Sequence, residues 1–451
     1  MEHEHSGGWA DVRRDAAPIA FVALAWLVQS WLLASMVLER TVDIPFMDEW
    51  EMVPILTGHQ PVTLSWLWSQ HNEHRIFVPR LVYLAMTSLS GYDFRAGAFL
   101  NVFLLCLCAL TLCFSVRKLR GSTRYSDAFF PLVVLHWGQA ENLTWSFQLA
   151  FVLGAVPVLL VLGTVFSRGA LSFRQTLAVG AVAAALPFIG AVGLPLTPAL
   201  SACTLLSAYQ LWRARPEQPR QWLSALGLGL LGFATTALYF VGYHSHKGHE
   251  SSHDLGATLI GAGQLLSLSF GTGSQVLWPA TGYLMVLLLL ATGIALSARV
   301  LRAHDEWPRV VRIALTLGGV LALAGGVAHA RVAMFNALFI SRYCTLMMPL
   351  ACGLYLAWEA LQNKPAKRFM QALLFTISAV FVLSNRSHGF AEAEGMWMRK
   401  ELVVLDIRKG VPLPVVAQQQ CGAVYLCNAD LAARMEMLRE KGIGEFAGAH
   451  P

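Results

Sequence analysis

Charge is what this chain has least of. Only 13% of its 451 residues are Asp, Glu, Lys or Arg, against roughly 25% in a soluble domain. So few charges cannot cover a water-exposed surface of this size, which excludes a soluble globular protein. The alternation of apolar and polar residues over about ten positions that marks a membrane barrel strand is also missing. No glycine-rich phosphate loop and no Rossmann fingerprint is found, which argues against a cytoplasmic reaction driven by ATP or a nucleotide-sugar. No small-residue cleavage site follows the first apolar run, Pro18 to Leu38, so that run is expected to remain as a spanning helix. No internal repeat is visible, unlike in inverted-repeat transporters.

What the chain does have is apolar surface. It is 56% hydrophobic, with a mean hydropathy of +0.53. Its apolar runs recur near the length of about 20 residues that spans a bilayer, and in lipid such runs must be helical. The expected fold is an all-α membrane protein of about eleven spans, roughly 17–38, 97–116, 127–139, 147–166, 175–190, 194–212, 221–243, 276–298, 310–329, 343–361 and 369–385. Ile76 to Leu89 is apolar too, but Pro79 and Arg80 interrupt it and it is too short to cross.

The net charge of +6 is not concentrated in one place, as nucleic acid would require. It sorts by topology instead. With Ile76 to Leu89 excluded, alternate short loops hold 18 of the 33 Lys and Arg residues. They include Arg13 and Arg14, Arg117 to Arg124, Arg213 to Arg220 and Lys364 to Arg368. Short basic loops face the cytoplasm, so the N-terminus is expected inside and the C-terminus outside a bacterial inner membrane. Three outer segments exceed what a connection needs: 39–96, 244–275 and the tail 386–451. The expected organisation is a membrane domain, 1–385, followed by a small periplasmic segment, 386–451. Six cysteines lie in apolar runs, where they act as small hydrophobes. Cys421 and Cys427 lie in the polar tail and either close a small disulfide loop in an oxidising compartment or stay as thiols.

Chemistry-bearing residues cluster in the outer segments. Asp43, Asp48, Glu49 and Glu51 fall within nine residues just after the first span. They form either a solvated acidic loop or a general base with a second carboxylate beside it. His71, Glu73, His74 and Arg75 follow, next to Trp66 and Trp68. Imidazole and guanidinium suit a phosphate or pyrophosphate head group, and two histidines three apart could share a metal. Tryptophans also simply favour membrane interfaces. The turn from His136 to Gln148 carries Trp137, Glu141, Asn142 and Trp145, groups that stack on and bond to sugars or cap helices. Arg331, Arg342 and Tyr343 mark the outer ends of two spans, for an anionic lipid phosphate or for snorkelling. The histidine-rich run His244 to His253 reads as a flexible polar loop, and Leu255 to Phe270 as an apolar stretch along the membrane surface.

Taken together, residues 17–385 resemble the GT-C superfamily of membrane glycosyltransferases. The likeness lies in a first helix leading to a long outer loop with the acidic pair Asp48 and Glu49. A His-and-Arg segment, His71 to Arg80, then precedes an interfacial helix. The next span begins after Gly91, Tyr92, Asp93, Phe94 and Arg95, an order similar to that of protein O-mannosyltransferases and the aminoarabinose transferase. Glu141, Asn142, Trp145 and Gln148, with Ser341, Arg342 and Tyr343, resemble segments of bacterial members. The histidine-proline-proline segment of the mannosyltransferases is replaced here by His74, Arg75, Ile76, Phe77, Val78 and Pro79. The tail 386–451 matches no such pattern.

The resemblance implies a polyprenyl-phosphate-linked sugar donor, an envelope glycan, lipid or protein acceptor, and transfer with inversion on the periplasmic face. It implies Asp48 as base and Arg75, Arg331 or Arg342 as the cation for the leaving phosphate. Glu49 or Glu141 would orient the acceptor or a divalent ion, Mg or Mn, and the sugar would lie against Trp50, Trp137 or Trp145. A transporter or lipid flippase is the rival from another class, but the spans hold few of the mid-membrane ionisable groups it needs. A non-catalytic assembly subunit is the third reading.

Overall fold

The computed structural model describes residues 7–244, 251, 253–335, 337–361, 364–427 and 430–450, with side chains from Asp15 onward. Among them, seven segments are long and apolar enough to cross a bilayer. These are Asp15–Arg40, Ala96–Arg120, Ser146–Val165, Pro219–Phe240, Ala280–Arg302, His304–Arg331 and Lys364–Arg408. Large apolar side chains such as Trp31, Phe103, Phe114 and Ile294 project from their outer faces, where water would be an unsuitable solvent. The chain is an α-helical, multi-pass membrane protein.

Helix α1 (Gly7–Arg40) leads to a 3-10 turn, Met47–Met52, that runs into α2 (Val53–Leu56). α3 (Leu64–Trp68) precedes a hairpin of two short strands, β1 (Gln70–His71) and β2 (His74–Arg75), antiparallel with His71 opposite His74. Asn72 makes this tight turn possible by taking φ +51, a left-handed conformation that Asn tolerates. α4 (Phe77–Leu89) has 13 residues, too few to span. α5 (Ala96–Arg120) ends where Gly121 takes φ +86 and its N–H bonds the Arg117 carbonyl at 2.7 Å. The left-handed glycine stops the helix, and Arg117, Lys118 and Arg120 complement the negative end of its dipole.

The third expected span, 127–139, is not a continuous helix. A 3-10 turn, Tyr125–Ala128, leads to α6 (Phe129–Val134), a second turn Trp137–Gln139, α7 (Ala140–Thr144) and a third turn Ser146–Gln148. Side chains replace the backbone bonds that the breaks remove. Gln139 Nε2 donates to the Val134 carbonyl at 2.8 Å, and Asn101 Nδ2 donates to the Asn142 carbonyl at 2.9 Å. Nearly the whole stretch is buried in protein, the condition under which irregular backbone survives inside a membrane protein.

The remaining helices are α8 (Leu149–Val165), α9 (Phe173–Ala185), α10 (Leu196–Ala214), α11 (Pro219–Phe240), α12 (Leu255–Ser267), α13 (Ala280–Arg302), α14 (Trp307–Arg331), α15 (Arg342–Ala360), α16 (Lys364–Val380) and α17 (Val382–Arg408). α15 is the axis of the bundle. Every residue from Tyr343 to Ala360 is buried, against α5, α6, α8, α13, α14 and α16. Of the histidine-rich run, residues 245–250 and 252 lie outside the described residues. At the end of the bundle where α5 stops, a cluster of buried charges is paired. Arg120 reaches Asp127 at 2.8 Å and Glu359 at 2.8 Å, and Lys367 reaches Glu359 at 2.8 Å, as buried ions require.

The expected boundary between 385 and 386 falls inside α17. That helix presses on the broken stretch so closely that a Cβ at Gly389 would lie 2.1 Å from the Trp137 carbonyl oxygen. α18 (Leu413–Gln420), α19 (Asp430–Lys441) and a last 3-10 turn, Gly444–Gly448, then fold back over the Met47–Met52 turn. Trp50, fully buried, meets Phe446 edge-on at 5.9 Å. Cys421 and Cys427 are joined in a disulfide. The tail therefore shares the core of the membrane part instead of standing apart as a separate segment.

Candidate functional site

The first loop, the hairpin and the facing ends of α14 and α15 enclose one cavity of about 310 Å³. Its wall includes Asp48, His71, Glu73, His74, Trp145, Gln148, Arg331, Arg342 and Tyr343. These candidates come from five separated stretches of sequence, and the fold brings them together.

Asp48 sits on the 3-10 turn with its side chain 39% exposed, reachable from the cavity. His71 lies between two carboxylates. Its Nε2 is 3.4 Å from Asp48 and its Nδ1 is 3.1 Å from Glu51. Burial pulls the His71 pKa down, but the two carboxylates outweigh it and the net is a rise from 6.5 to about 9. At neutral pH His71 is an imidazolium seated between the Asp48 and Glu51 carboxylates. It is thus engaged with carboxylates and not aimed at a phosphate.

Glu49, beside Asp48, goes the other way. Its carboxylate is buried and accepts the N–H of Phe46 at 2.8 Å and that of Phe147 at 3.1 Å. Burial drives its pKa from 4.5 to about 8, against the opposing pull of Lys400 and the two N–H donors. Glu49 therefore ties the turn to the Ser146–Gln148 segment from beneath and does not line the cavity.

The two arginines on the wall are each matched with a glutamate. Arg331 is ion-paired with Glu73, and its Nη2 lies 3.4 Å from His74 Nε2. Arg342 meets Glu141 at 2.9 Å, while Glu141 also accepts the Arg342 N–H at 3.1 Å and the Ser341 hydroxyl at 3.3 Å. A guanidinium has five N–H donors, and Glu141 takes one side-chain N–H of Arg342. Gln148 and Trp145 present a different feature. Both are buried, and neither Gln148 Oε1 nor Trp145 Nε1 has a hydrogen-bond partner among the described residues. Buried polar atoms left unpaired on a cavity wall suit a ligand.

Arg75 is not at this site. Its guanidinium donates to the carbonyls of Trp68 at 2.7 Å, Val241 at 2.8 Å and Tyr239 at 2.9 Å, and lies over the Trp68 ring. It clamps the hairpin to the end of α11, and its donors are used on carbonyls that no other group supplies. Asn142 is likewise a strut. It is fully buried and donates to the Arg342 carbonyl at 3.0 Å and to Thr345 at 2.6 Å. Trp50 is packed in the tail's core, and Trp137 is stacked on Phe390 at 6.4 Å. Of the three tryptophans expected against a sugar, only Trp145 reaches the cavity.

Two further cavities share its walls. One of about 290 Å³ is lined by Val192, Leu194, Pro195, Leu323, Val327 and Leu346, and shares Glu73, His74, Phe151, Arg331 and Tyr343 with the polar cavity. The other, of about 440 Å³, shares Met47, Trp145 and Arg342 and adds Glu141, Glu392, Gly395 and Arg399. Glu392, Arg399 and Lys400 were missed from the sequence because they lie in a helix whose polar pattern looks like any exposed tail. Among the described residues no three His, Cys, Asp or Glu side chains are grouped to hold a metal ion. His71 and His74 face each other across the hairpin, but each is taken up by carboxylate partners. No family model matches the chain, and it matches no curated protein and no solved structure.

Proposed function

We propose that this protein is a membrane glycosyltransferase that moves a sugar from a polyprenyl-phosphate donor to an envelope acceptor. The observation that carries this reading is a single cavity holding a carboxylate, Asp48, and two guanidiniums, Arg331 and Arg342, and sharing a wall with an apolar cavity. A lipid-phosphate-sugar has the same order of parts. Its prenyl chain fits the apolar cavity, its phosphate the arginines, and its sugar the space between Arg342, Gln148, Trp145 and Asp48. In the reaction, the acceptor hydroxyl gives its proton to the Asp48 carboxylate as its oxygen bonds the anomeric carbon. The bond from that carbon to the phosphate oxygen breaks, and the electron pair leaves on the lipid phosphate with inversion at carbon. Arg331 and Arg342 stabilise the charge that develops there. Any divalent ion would have to complete its ligands from the donor itself.

The topology fits the same reading. Eleven crossings result when the broken stretch 125–148, α9 together with its 3-10 extension to Phe188, α10 and α15 are added to the seven long apolar segments. Short basic loops then lie inside, and the site and the tail lie on the outer face.

The test is direct. Protein in nanodiscs is titrated with undecaprenyl phosphate, and a reporter is fused at the C-terminus. Binding that weakens at least tenfold in Arg342→Ala, with a reporter active only outside the cytoplasm, is expected. A wild type that does not bind the lipid phosphate, or a reporter active only in the cytoplasm, overturns the proposal.

A further inference from the structure

The cavity of about 440 Å³ beside the polar one is formed by α17, the helix that carries the chain into its tail. Four features distinguish it. Its shared wall includes Trp145, whose buried indole N–H has no partner among the described residues. Two carboxylates face it: Glu141, already bonded to Arg342, and Glu392, which lies against Glu141, Ser341 and Arg342. Arg399 is exposed at its edge. Between them Gly395 leaves open space, since a Cβ placed there meets nothing within 4 Å.

We propose that this cavity is the acceptor site and that its ligand is a saccharide; the inference rests on the glycosyltransferase reading. The volume lies in the range of small-molecule sites, about 300–1,000 Å³. Carboxylates accept hydrogen bonds from hydroxyls, an unfilled indole N–H donates to one, and the Trp145 and Met396 surfaces suit the C–H face of a sugar ring. A lipid acceptor would not use two carboxylates. A polypeptide also brings backbone N–H and hydroxyl donors, and the Ser/Thr peptide in the experiment separates it from a saccharide. The shared wall matters for the reaction. Met47 and Arg342 border both cavities, and Asp48, next to Met47, lines the polar one, so a hydroxyl held here approaches the base across that shared wall.

The experiment uses the full chain in nanodiscs. Saturation-transfer NMR is run with chitobiose, cellobiose, mannobiose and a glucuronate-containing disaccharide, and with a Ser/Thr peptide as control. Undecaprenyl phosphate binding is measured on the same samples. At least one disaccharide should bind saturably, and Gly395→Leu, which fills the cavity without a backbone clash, should weaken it at least tenfold. Glu392→Gln should weaken it several-fold. Both variants should bind undecaprenyl phosphate as the wild type does, which also shows that they fold. Disaccharide binding that survives Gly395→Leu, no disaccharide binding at all, or binding of the peptide alone overturns the inference. Loss of lipid-phosphate binding in the wild type, with Gly395-dependent saccharide binding intact, instead overturns the donor reading and leaves this site standing.

Discussion

The backbone N–H of Met47 donates to the carbonyl oxygen of Val424 across 2.7 Å. Val424 lies inside the loop closed by Cys421 and Cys427, and Met47 takes φ +48, a left-handed conformation rare for a side chain of its size. The disulfide loop thus holds the residue immediately before Asp48 in the conformation that turns Asp48 toward the cavity.

Breaking that loop should therefore reach the site. Closing a loop of this size contributes about 2 kcal/mol in the chain-entropy view. Cys421→Ser with Cys427→Ser should lower thermal stability and reduce transfer several-fold while undecaprenyl phosphate still binds. Thiol labelling of the unreduced, denatured protein is the first check, and full labelling of both cysteines would end the argument.

Asp48 and Glu49 are neighbours with different surroundings, and substitution should separate them. Asp48→Asn removes the proton acceptor and should cut turnover about 100-fold or more with donor binding intact. Glu49→Gln should change turnover far less. Glu49→Ala should destabilise the fold, because the N–H groups of Phe46 and Phe147 lose their acceptor. Equal loss of turnover in Asp48→Asn and Glu49→Gln, with both variants stable, contradicts this division.

Arg75 and Arg342 should differ in kind. Arg75→Ala leaves the carbonyls of Trp68, Tyr239 and Val241 unpaired and should cost about 3 kcal/mol or more of stability. Arg342→Ala should leave the melting temperature closer to wild type and weaken donor binding at least tenfold. Melting curves and lipid-phosphate titration of the two variants decide it. Weaker donor binding in a fully stable Arg75→Ala is the contrary result.

His71 should confer a pH dependence of defined sign. Its pKa is about 9 in the folded protein, above the 6.5 of the free group. Its stabilising contribution is then fully present below pH 6.5 and is lost as pH rises through 9. Thermal stability of the wild type should decline over that window relative to His71→Asn, which lacks the titrating ring. Parallel pH profiles for the two proteins count against the Asp48–His71–Glu51 arrangement.

The sequence by itself determined the solvent and most of the helices. Scarce charge and apolar runs near bilayer length leave a helical membrane protein as the workable solution, because backbone groups in lipid must bond within their own segment. It also marked the stretches that carry the site: the acidic turn around Asp48, the His71–Arg75 hairpin, the Glu141–Gln148 turn and the ends of α14 and α15. The tertiary structure decided which of these residues face a ligand. Arg75, Arg331 and Arg342 look alike as sequence, yet one meets three carbonyls and the other two meet glutamates on a cavity wall. The break in 125–148 was hidden for the same reason, since side chains that meet its freed backbone groups include Asn101 of α5 and Ser341 at the start of α15. Glu392 and Arg399 gave no signal, because a polar helix reads as solvated until its partners are known. Hydropathy is a local property of the chain and can be read locally. Whether a charge is a strut or a ligand-binding group depends on neighbours hundreds of residues away, and only the packed structure supplies them.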